Sequence, residues 1–346
     1  MQPIKTAIVG FGISGQCFQA PILEDCQEID LCAVVSSNAE KVHAQLPSVE
    51  VYPTIENMLE NPSIELIIIA TPNDLHVPQA KLALLADKHV VIEKPFSIDV
   101  KEGEALIEVA KQVGKKLSVY QSRRFDGDFK TITKLINEDE LINIHTFYST
   151  YNRYKPEVKV RWREQDVPGS GIVYDLGAHL IDQALCLFGL PERVTAQLKA
   201  QRPGAEAIDH FHIVLHYPNC DAILHSNCLS VTEGPRFQIF THNAAFIKYG
   251  MDTQEDFLRE KQGPKTPNWG EDKPENYAVF TDHQGEESII ETEKGGYEAF
   301  YQQVANAIRK DKEVPVTAEQ ALDVIRVIEA SYESSKQQRT IDLQGA

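Results

Sequence analysis

Apolar positions along this chain alternate between two periods as far as Tyr120, and the pattern then changes near Arg123. From Ile4 to Tyr120, short apolar runs (Ile4–Val9, Ile29–Val35, Val49–Tyr52, Ile64–Ala70, His89–Ile92 and Leu117–Tyr120) are separated by stretches whose apolar residues recur every three or four positions. Short unbroken runs predict strands buried on both faces. The periodic stretches predict helices: one ending near Cys26, then Ile55–Leu59, Asp74–Ala86 and Val100–Val113. Regular alternation of the two predicts a doubly wound, mostly parallel sheet.

The pattern changes from about Arg123. A helix over Asp128–Ile136 is followed by strand-like runs at Ile142–Tyr151, Val194–Ala200, Ile208–His216, Ala222–Leu229, Phe237–Thr241, Phe246–Tyr249, Tyr277–Thr281 and Glu287–Glu291. Successive strands of this kind predict an α+β domain on one large open, mostly antiparallel sheet. The expected division is 1–122 and 123–346. A sheet face of that size commonly meets a partner, so a homo-oligomer, dimer or tetramer, is expected. Gln262–Pro274 reads as a loop, and helices over Tyr297–Arg309 and Ala318–Lys336 close the chain, the second opened by a capping box of Thr317 with Gln320. Between the first strand of this half and the rest, Leu176, Leu180, Ala184 and Leu187 form one helical stripe, with Asp175, His179 and Asp182 on another face.

Four strand ends carry recognisable chemistry. The first strand runs into Gly10-Phe11-Gly12-Ile13-Ser14-Gly15 and then a helix. Gly10 permits a tight turn, Gly12 lets backbone approach a pyrophosphate, and Gly15 lets helix and strand pack closely, with the helix N-terminus toward the phosphates. Strand before and helix after make this a specific dinucleotide signal. The second strand ends in Ser36-Ser37-Asn38, where an NAD site places an acid against the ribose hydroxyls about 20 residues beyond the glycines. With no acid there, and with Lys41 to add charge, the loop favours NADP(H) over NAD, although Glu40 counts the other way. Thr71-Pro72-Asn73, with His76 after it, and Glu93-Lys94-Pro95 occupy later strand ends, where doubly wound sheets bind ligands. Pro95 biases Lys94 toward extended backbone, which projects a cation from the strand end.

Composition narrows the partners. The 346 residues carry 34 Lys plus Arg against 51 Asp plus Glu, a net charge of −17, without a long basic run. Nucleic acid and anionic membrane are therefore poor partners, and a small ligand fits better. Cys17, Cys26, Cys32, Cys186, Cys220 and Cys228 are scattered without metal or redox spacing, so no metal is expected and reduced, buried thiols point to the cytoplasm. No apolar run approaches the roughly 18 to 20 residues of a membrane span, and the N-terminus has no export pattern.

Gly10-x-Gly12-x-x-Gly15, Glu93-Lys94-Pro95 and Asp175-x-Gly-x-His179-x-x-Asp182, in this order and at these separations, resemble the Gfo/Idh/MocA oxidoreductase family along essentially the whole chain. Ser122-Arg-Arg124-Phe-Asp126, Tyr151-Asn-Arg153-Tyr154, Arg161-Trp-Arg163-Glu164, Phe246-Ile-Lys-Tyr249-Gly250 and Pro315-Val-Thr-Ala-Glu319 are similar to its branch containing NADP-dependent scyllo-inositol dehydrogenase. The resemblance implies a Rossmann domain, a second α/β domain, and hydride transfer between NAD(P) and a carbon of a sugar or polyol. It implies Lys94, Asp175 and His179 as the catalytic group. Gly169-Ser170-Gly171 stands where relatives often have three glycines, a small departure.

Hydride removal from a secondary alcohol requires that the hydroxyl proton also leave. His179, with an ordinary pKa of about 6.5, suits that step, and Lys94 suits the developing alkoxide. Asp175 could orient the imidazole or hold a substrate hydroxyl. Arg124, Tyr154 and Arg163 are the candidates for substrate contacts. The alternatives are a reductase or dehydrogenase of another sugar or dihydrodiol, and a regulator that binds nucleotide without turnover. A zinc alcohol dehydrogenase is a poor third, because the Cys and His spacing offers no convincing site.

Overall fold

The computed structural model describes residues 2–343. In chain order the first elements are β1 (Ile4–Val9), α1 (Ala20–Asp25), β2 (Ile29–Val35), α2 (Ala39–His43), β3 (Glu50–Tyr52), α3 (Ile55–Leu59), β4 (Leu66–Ile69), α4 (His76–Leu85), β5 (His89–Glu93), α5 (Val100–Val113) and β6 (Leu117–Tyr120). There follow α6 (Gly127–Asn137), β7 (Ile144–Thr150), α7 (Ala178–Phe188), β8 (Arg193–Lys199), β9 (His210–His216), β10 (Asp221–Asn227), β11 (Phe237–Thr241) and β12 (Ala244–Lys248). The last are α8 (Gln254–Arg259), β13 (Ala278–Asp282), β14 (Glu287–Ile290), α9 (Glu298–Lys310), α10 (Ala318–Gln337) and β15 (Ile341–Asp342).

The chain forms two compact units. The first comprises Met1–Phe125, Thr253–Gly270 and Gly296–Leu322, the second Asp126–Asp252, Glu271–Gly295 and Asp323–Ala346.

In the first unit six parallel strands lie in the order β3-β2-β1-β4-β5-β6, so the strand order reverses beside β1, between β1 and β4. Leu66, Ile67, Ile68 and Ile69 of β4 are fully buried. Each such side chain contributes about 1.5–3 kcal/mol relative to an exposed one, which is why a continuous apolar run settles at the centre of a sheet covered on both faces. Helix ends follow local chemistry. Asp99 Oδ1 accepts the Glu102 N–H at 2.8 Å to start α5, and Gly114, at φ 66°, ends it. Thr317 and Gln320 satisfy each other's backbone N–H at the start of α10, as the capping box requires.

The second unit is built on nine strands, β14-β13-β12-β11-β7-β10-β9-β8-β15, antiparallel except for β7 beside β10. Burial alternates along β9, β10 and β11 with the pleat: Phe211, Ile213 and Leu215 point to one face, which is buried, while His210, His212 and Val214 stand on the other, which stays partly exposed. One register row crosses eight strands on that second face, through Ile289, Val279, Ile247, Gln238, Tyr148, Ile223, Val214 and Thr195. The helix α7 packs on β10.

The expected strands of both halves are present, with ends displaced by a few residues. The pattern did not announce α2, α8 or β15, which are too short to show a period. The expected loop Gln262–Pro274 is irregular, yet its Trp269 is 2% exposed and donates its indole N–H to Glu298 at 2.9 Å. Of the cysteines, Cys26 and Cys228 are buried, Cys17, Cys32 and Cys220 half-buried and Cys186 exposed, so the expectation of buried thiols holds for the first two. All six are free thiols.

Candidate active site

In the first unit the residues expected around a dinucleotide gather at the carboxyl ends of β1, β2, β4 and β5. Gly10 sits at φ 95°, and its N–H donates to Val35 O at 3.1 Å. A Cβ on Gly15 would stand 2.1 Å from the Gly10 carbonyl oxygen, so this glycine lets helix and loop touch. Gly12 is the opposite case: a Cβ there would meet no described atom within 4 Å. Contact inside at Gly15 and open space at Gly12 are what a pyrophosphate cradle needs, and by this test the loop fits a dinucleotide. The helix does not begin as an α-helix. Ser14–Gln19 forms a π-turn, with one extra residue per turn, before α1 takes over.

That turn is tied inward. Ser14 Oγ and Gln19 Nε2 both donate to Glu93 Oε1, each at 2.5 Å, and Tyr301 of α9 donates its hydroxyl to Gln19 Oε1. Glu93, Gln19 and Tyr301 are all buried. Burial pushes the Glu93 carboxyl up from its ordinary value, while the Ser14 and Gln19 bonds and the Lys94 charge pull it down. Glu93 thus braces the glycine-rich loop from the strand that delivers Lys94. Lys94 itself is half-buried. Its charge helps hold the Glu255 carboxyl low, although Arg123 and Arg259 contribute more and burial opposes all three. His76 is buried, with ring nitrogens 2.8 Å from the Pro95 carbonyl and 3.0 Å from the Thr71 carbonyl, so it spans the ends of β4 and β5. Thr71 Oγ1 donates to Gln79 Oε1 at 2.7 Å.

At the end of β2, Ser36 Oγ accepts the Asn38 N–H at 3.1 Å, and Asn38 Oδ1 caps α2 by accepting the Lys41 N–H at 2.8 Å. Lys41 Nζ reaches back to Phe11 O at 2.9 Å, which puts its charge beside the glycine-rich loop. Ser37 and Asn38 are exposed. Arg124 also belongs to this unit, where Nη1 donates to Gln320 Oε1 at 2.8 Å.

In the second unit, Gly169 and Gly171 adopt φ 78° and 76°, and a Cβ on Gly171 would stand 2.9 Å from Ile208 O. Ser170 Oγ donates to Gln165 O at 2.7 Å, and Ile172 N–H to Ile208 O at 2.9 Å. The chain then forms another π-turn, Val173–Gly177, which packs on β9 and β10 and carries Asp175. The following helix α7 carries His179 and Asp182, 7% and 2% exposed. The polar face of this helix is therefore buried, whereas a polar helix face is ordinarily solvated. Gln183, one turn beyond His179, accepts from Arg236 Nη2 at 2.7 Å and ties α7 to the residue that precedes β11. Tyr154 is 58% exposed, and Arg163 stacks its guanidinium 4.6 Å from the Trp162 ring centre.

Sequence reasoning missed Gln19, Tyr301, Arg123 and Glu255. Arg123 lies inside a motif that carries the family resemblance, while the others belong to distant or unremarkable segments. Among the described residues, no group of three or more His, Cys, Asp or Glu is placed to hold a metal ion, and no helix is long and apolar enough to cross a membrane.

Comparison with known proteins bears on both units. Residues 4–121 match the family model for the NAD-binding Rossmann fold of an oxidoreductase family, and residues 133–343 match the model for its C-terminal alpha/beta domain. The chain is 44% identical over 344 residues to scyllo-inositol 2-dehydrogenase (NADP(+)) IolW of Bacillus subtilis, covering 99% of this chain and 96% of the relative. It is 40% identical to the uncharacterized oxidoreductase YdgJ of Escherichia coli, covering 98% and 99%. Among solved structures it resembles the oxidoreductase yvaA of Bacillus subtilis, with a TM-score of 0.96 at 44% identity and 99% of both chains covered. It also resembles the oxidoreductase YPO2259 of Yersinia pestis, with a TM-score of 0.94 at 39% identity, covering 99% and 97%. With both domain models matched in sequence and full-length relatives well above 30% identity, the chain belongs to the Gfo/Idh/MocA family of oxidoreductases.

Proposed function

We propose that this protein is a dehydrogenase that reversibly transfers a hydride between NADP(H) and a secondary alcohol or ketone of a cyclic polyol or sugar, of the scyllo-inositol and scyllo-inosose kind. The observation that carries this reading is the full-length 44% identity to a protein named for that reaction. NADP, when bound, supplies the hydride acceptor. Gly10 to Gly15 cradle its pyrophosphate, Thr71, Pro72, Asn73, His76 and Glu93 shape the crevice, and Ser36, Ser37, Asn38 and Lys41 receive the 2′-phosphate. The half-buried Lys94 stabilises the developing alkoxide. His179 takes the hydroxyl proton and returns it in the reverse direction. Arg124, Tyr154 and Arg163 are proposed to contact substrate hydroxyls.

The partly exposed face of the nine-stranded sheet, with Ile289 65% exposed in a mostly apolar row, supports a homo-oligomer, dimer or tetramer. The free cysteines and the absence of any spanning helix among the described residues support the cytoplasm. Nicotinamide absorbance over a panel of polyols and sugars, run with NADP⁺ and NAD⁺ in parallel, tests the reading. The expected result is turnover of scyllo-inositol with NADP⁺ preferred. A cofactor that is bound and never consumed across the panel defeats the enzyme assignment. Clear preference for NAD⁺ defeats the role given to Ser36, Ser37 and Lys41.

A further inference from the structure

We infer that Gln183 and Arg236 are positioning residues of the proposed reaction: the Arg236 guanidinium, fixed to the sheet of the second unit, holds the Gln183 side chain and so sets the rotation and register of α7, the helix that carries His179. The inference rests on the dehydrogenase reading and adds two residues that act through its proton carrier.

Apolar packing alone leaves a helix some freedom to turn and slide. Leu180, Ile181 and Ala184 of α7 are fully buried, and Phe188 at its end meets the Phe147 ring edge-on, with ring centres 5.5 Å apart. Such contacts are favourable but non-directional, so a small rotation of α7 keeps its area buried while it moves the imidazole. Catalysis tolerates less: a displacement of roughly 1 Å can cost about 10²-fold in rate. A bond of fixed direction close to His179 removes that freedom.

Arg236 supplies such a bond. Its backbone is clamped on two sides, the N–H donating to Lys248 O at 2.7 Å and the carbonyl accepting the Thr150 N–H at 2.9 Å. Its guanidinium is held as well, 4.1 Å from the Phe237 ring centre, with Nη1 donating to Ser149 Oγ of β7 at 2.6 Å. A guanidinium is planar and its donors keep a rigid fork, so these contacts decide where Nη2 points. It meets Gln183 Oε1 at 2.7 Å. Arg236, Ser149 and Gln183 are all buried, which keeps water from competing for either bond.

Gln183 lies four residues beyond His179, and on an α-helix that spacing places two side chains on one face, about 6 Å apart along the axis. The anchor and the imidazole are therefore one turn apart. An upstream anchor, the Ile172 N–H on Ile208 O at 2.9 Å, lies on the other side of the π-turn, farther from His179. A polar bond that served stability alone could leave α7 from any buried side; this one leaves from the face of the imidazole.

Gln183→Met keeps the side chain near its size and removes the acceptor. It should lower kcat by about tenfold to 10²-fold, with NADPH affinity and the KM for the polyol close to wild type. Arg236→Met should give the same loss, and the two changes together should cost no more than either, as members of one bond. Ser149→Ala, which loosens the guanidinium without touching α7, should lower kcat by a smaller factor, and it makes the test if neither of the others folds. The imidazole itself gives a readout without turnover. In a spectrum of ¹³C-labelled histidine, assigned with His179→Ala, the His179 ring signal should shift in these variants, while the signals of His210 and His212 on the open face of the sheet keep their places. An unchanged kcat, losses that multiply in the double variant, or a His179 signal that stays put in a folded variant overturns the inference. A wild-type protein that consumes no cofactor defeats the dehydrogenase reading alone when the His179 signal still shifts, and an active wild type with an equally active Gln183→Met variant defeats the role of Gln183 and Arg236 alone.

Discussion

The two units each contain a helix reached through glycines and then a π-turn, and they use that device in opposite ways. In the first, Gly10, Gly12 and Gly15 strip side chains from the approach, and the polar residues of the turn, Ser14 and Gln19, face inward to Glu93. What this turn can offer a ligand is backbone N–H groups, a helix end and empty space at Gly12. In the second, Gly169 and Gly171 bend the chain tightly around Ile208, and the turn and helix that follow present side chains: Asp175, His179 and Asp182. One arrangement suits holding a phosphate, the other suits moving a proton. The wide turn fits both tasks because its extra residue shifts where the next side chains emerge from the helix.

Mutations can break this contrast. The largest effect is expected in the second unit: on the proposed assignment His179→Ala lowers turnover by about 10² to 10⁴, while NADPH affinity, followed by fluorescence titration, stays near wild type. Near-normal turnover would leave the second π-turn and its helix without a catalytic role. In the first unit two glycines should separate. Gly12→Val should weaken cofactor binding by about tenfold or more, with little change in thermal midpoint, because the space it fills is the proposed pyrophosphate path. Gly15→Ala should instead cost about 1–3 kcal/mol of stability, read from urea unfolding, because its Cβ meets the Gly10 carbonyl. Equal effects of the two on binding would erase the distinction.

Lys41→Ala should reduce the preference for NADP over NAD by about tenfold, the loss of one charge-assisted contact. An unchanged ratio of kcat/KM values would return Lys41 to its bond with Phe11 O. The smallest effect lies away from both turns, where His210 and His212 of β9 and His225 of β10 meet on the exposed sheet face with ring centres 5.3 and 5.7 Å from His225. Burial, then the charges of His210 and His212, depress His225 to about 4; Lys199 opposes and Asp209 favours protonation of His210. The unfolded chain therefore binds more protons than the native one below about pH 6.5, so this contribution to stability is complete above that value and is lost as pH falls toward 4. A His225→Gln variant should show a flatter decline of thermal midpoint across that window, and an identical decline would assign the acid sensitivity elsewhere.

Much of the first unit was legible because its signals are local. A strand, glycines at fixed spacing and a helix occupy a single stretch, and Lys94 is marked by the proline after it. Strand alternation in the second unit was equally readable, since the pleat imposes it residue by residue. The two π-turns were not, because nothing in Ser14–Gln19 or Val173–Gly177 distinguishes a wide turn from an α-turn until its packing is known. Burial of His179 and Asp182 was hidden for a related reason: periodicity shows which side of a helix is apolar, not whether its polar side meets water. Partners distant in the chain, such as Gln19 with Tyr301 or Arg123 with Glu255, carry no trace in either local sequence.

The bond from Tyr301 to Gln19 also sets an order of construction. The sheet of the first unit is encoded by residue 120, but the hydroxyl that secures its glycine-rich turn belongs to α9. So does Arg309, which grips Glu65 through two nitrogens at 2.5 and 2.8 Å. The segments that complete the first unit, Thr253–Gly270 and Gly296–Leu322, are therefore made only after Asp126–Asp252 of the second. A chain ending before α9 would still encode all six parallel strands and the Glu93 brace, and would lack the Tyr301 hydroxyl that secures Gln19.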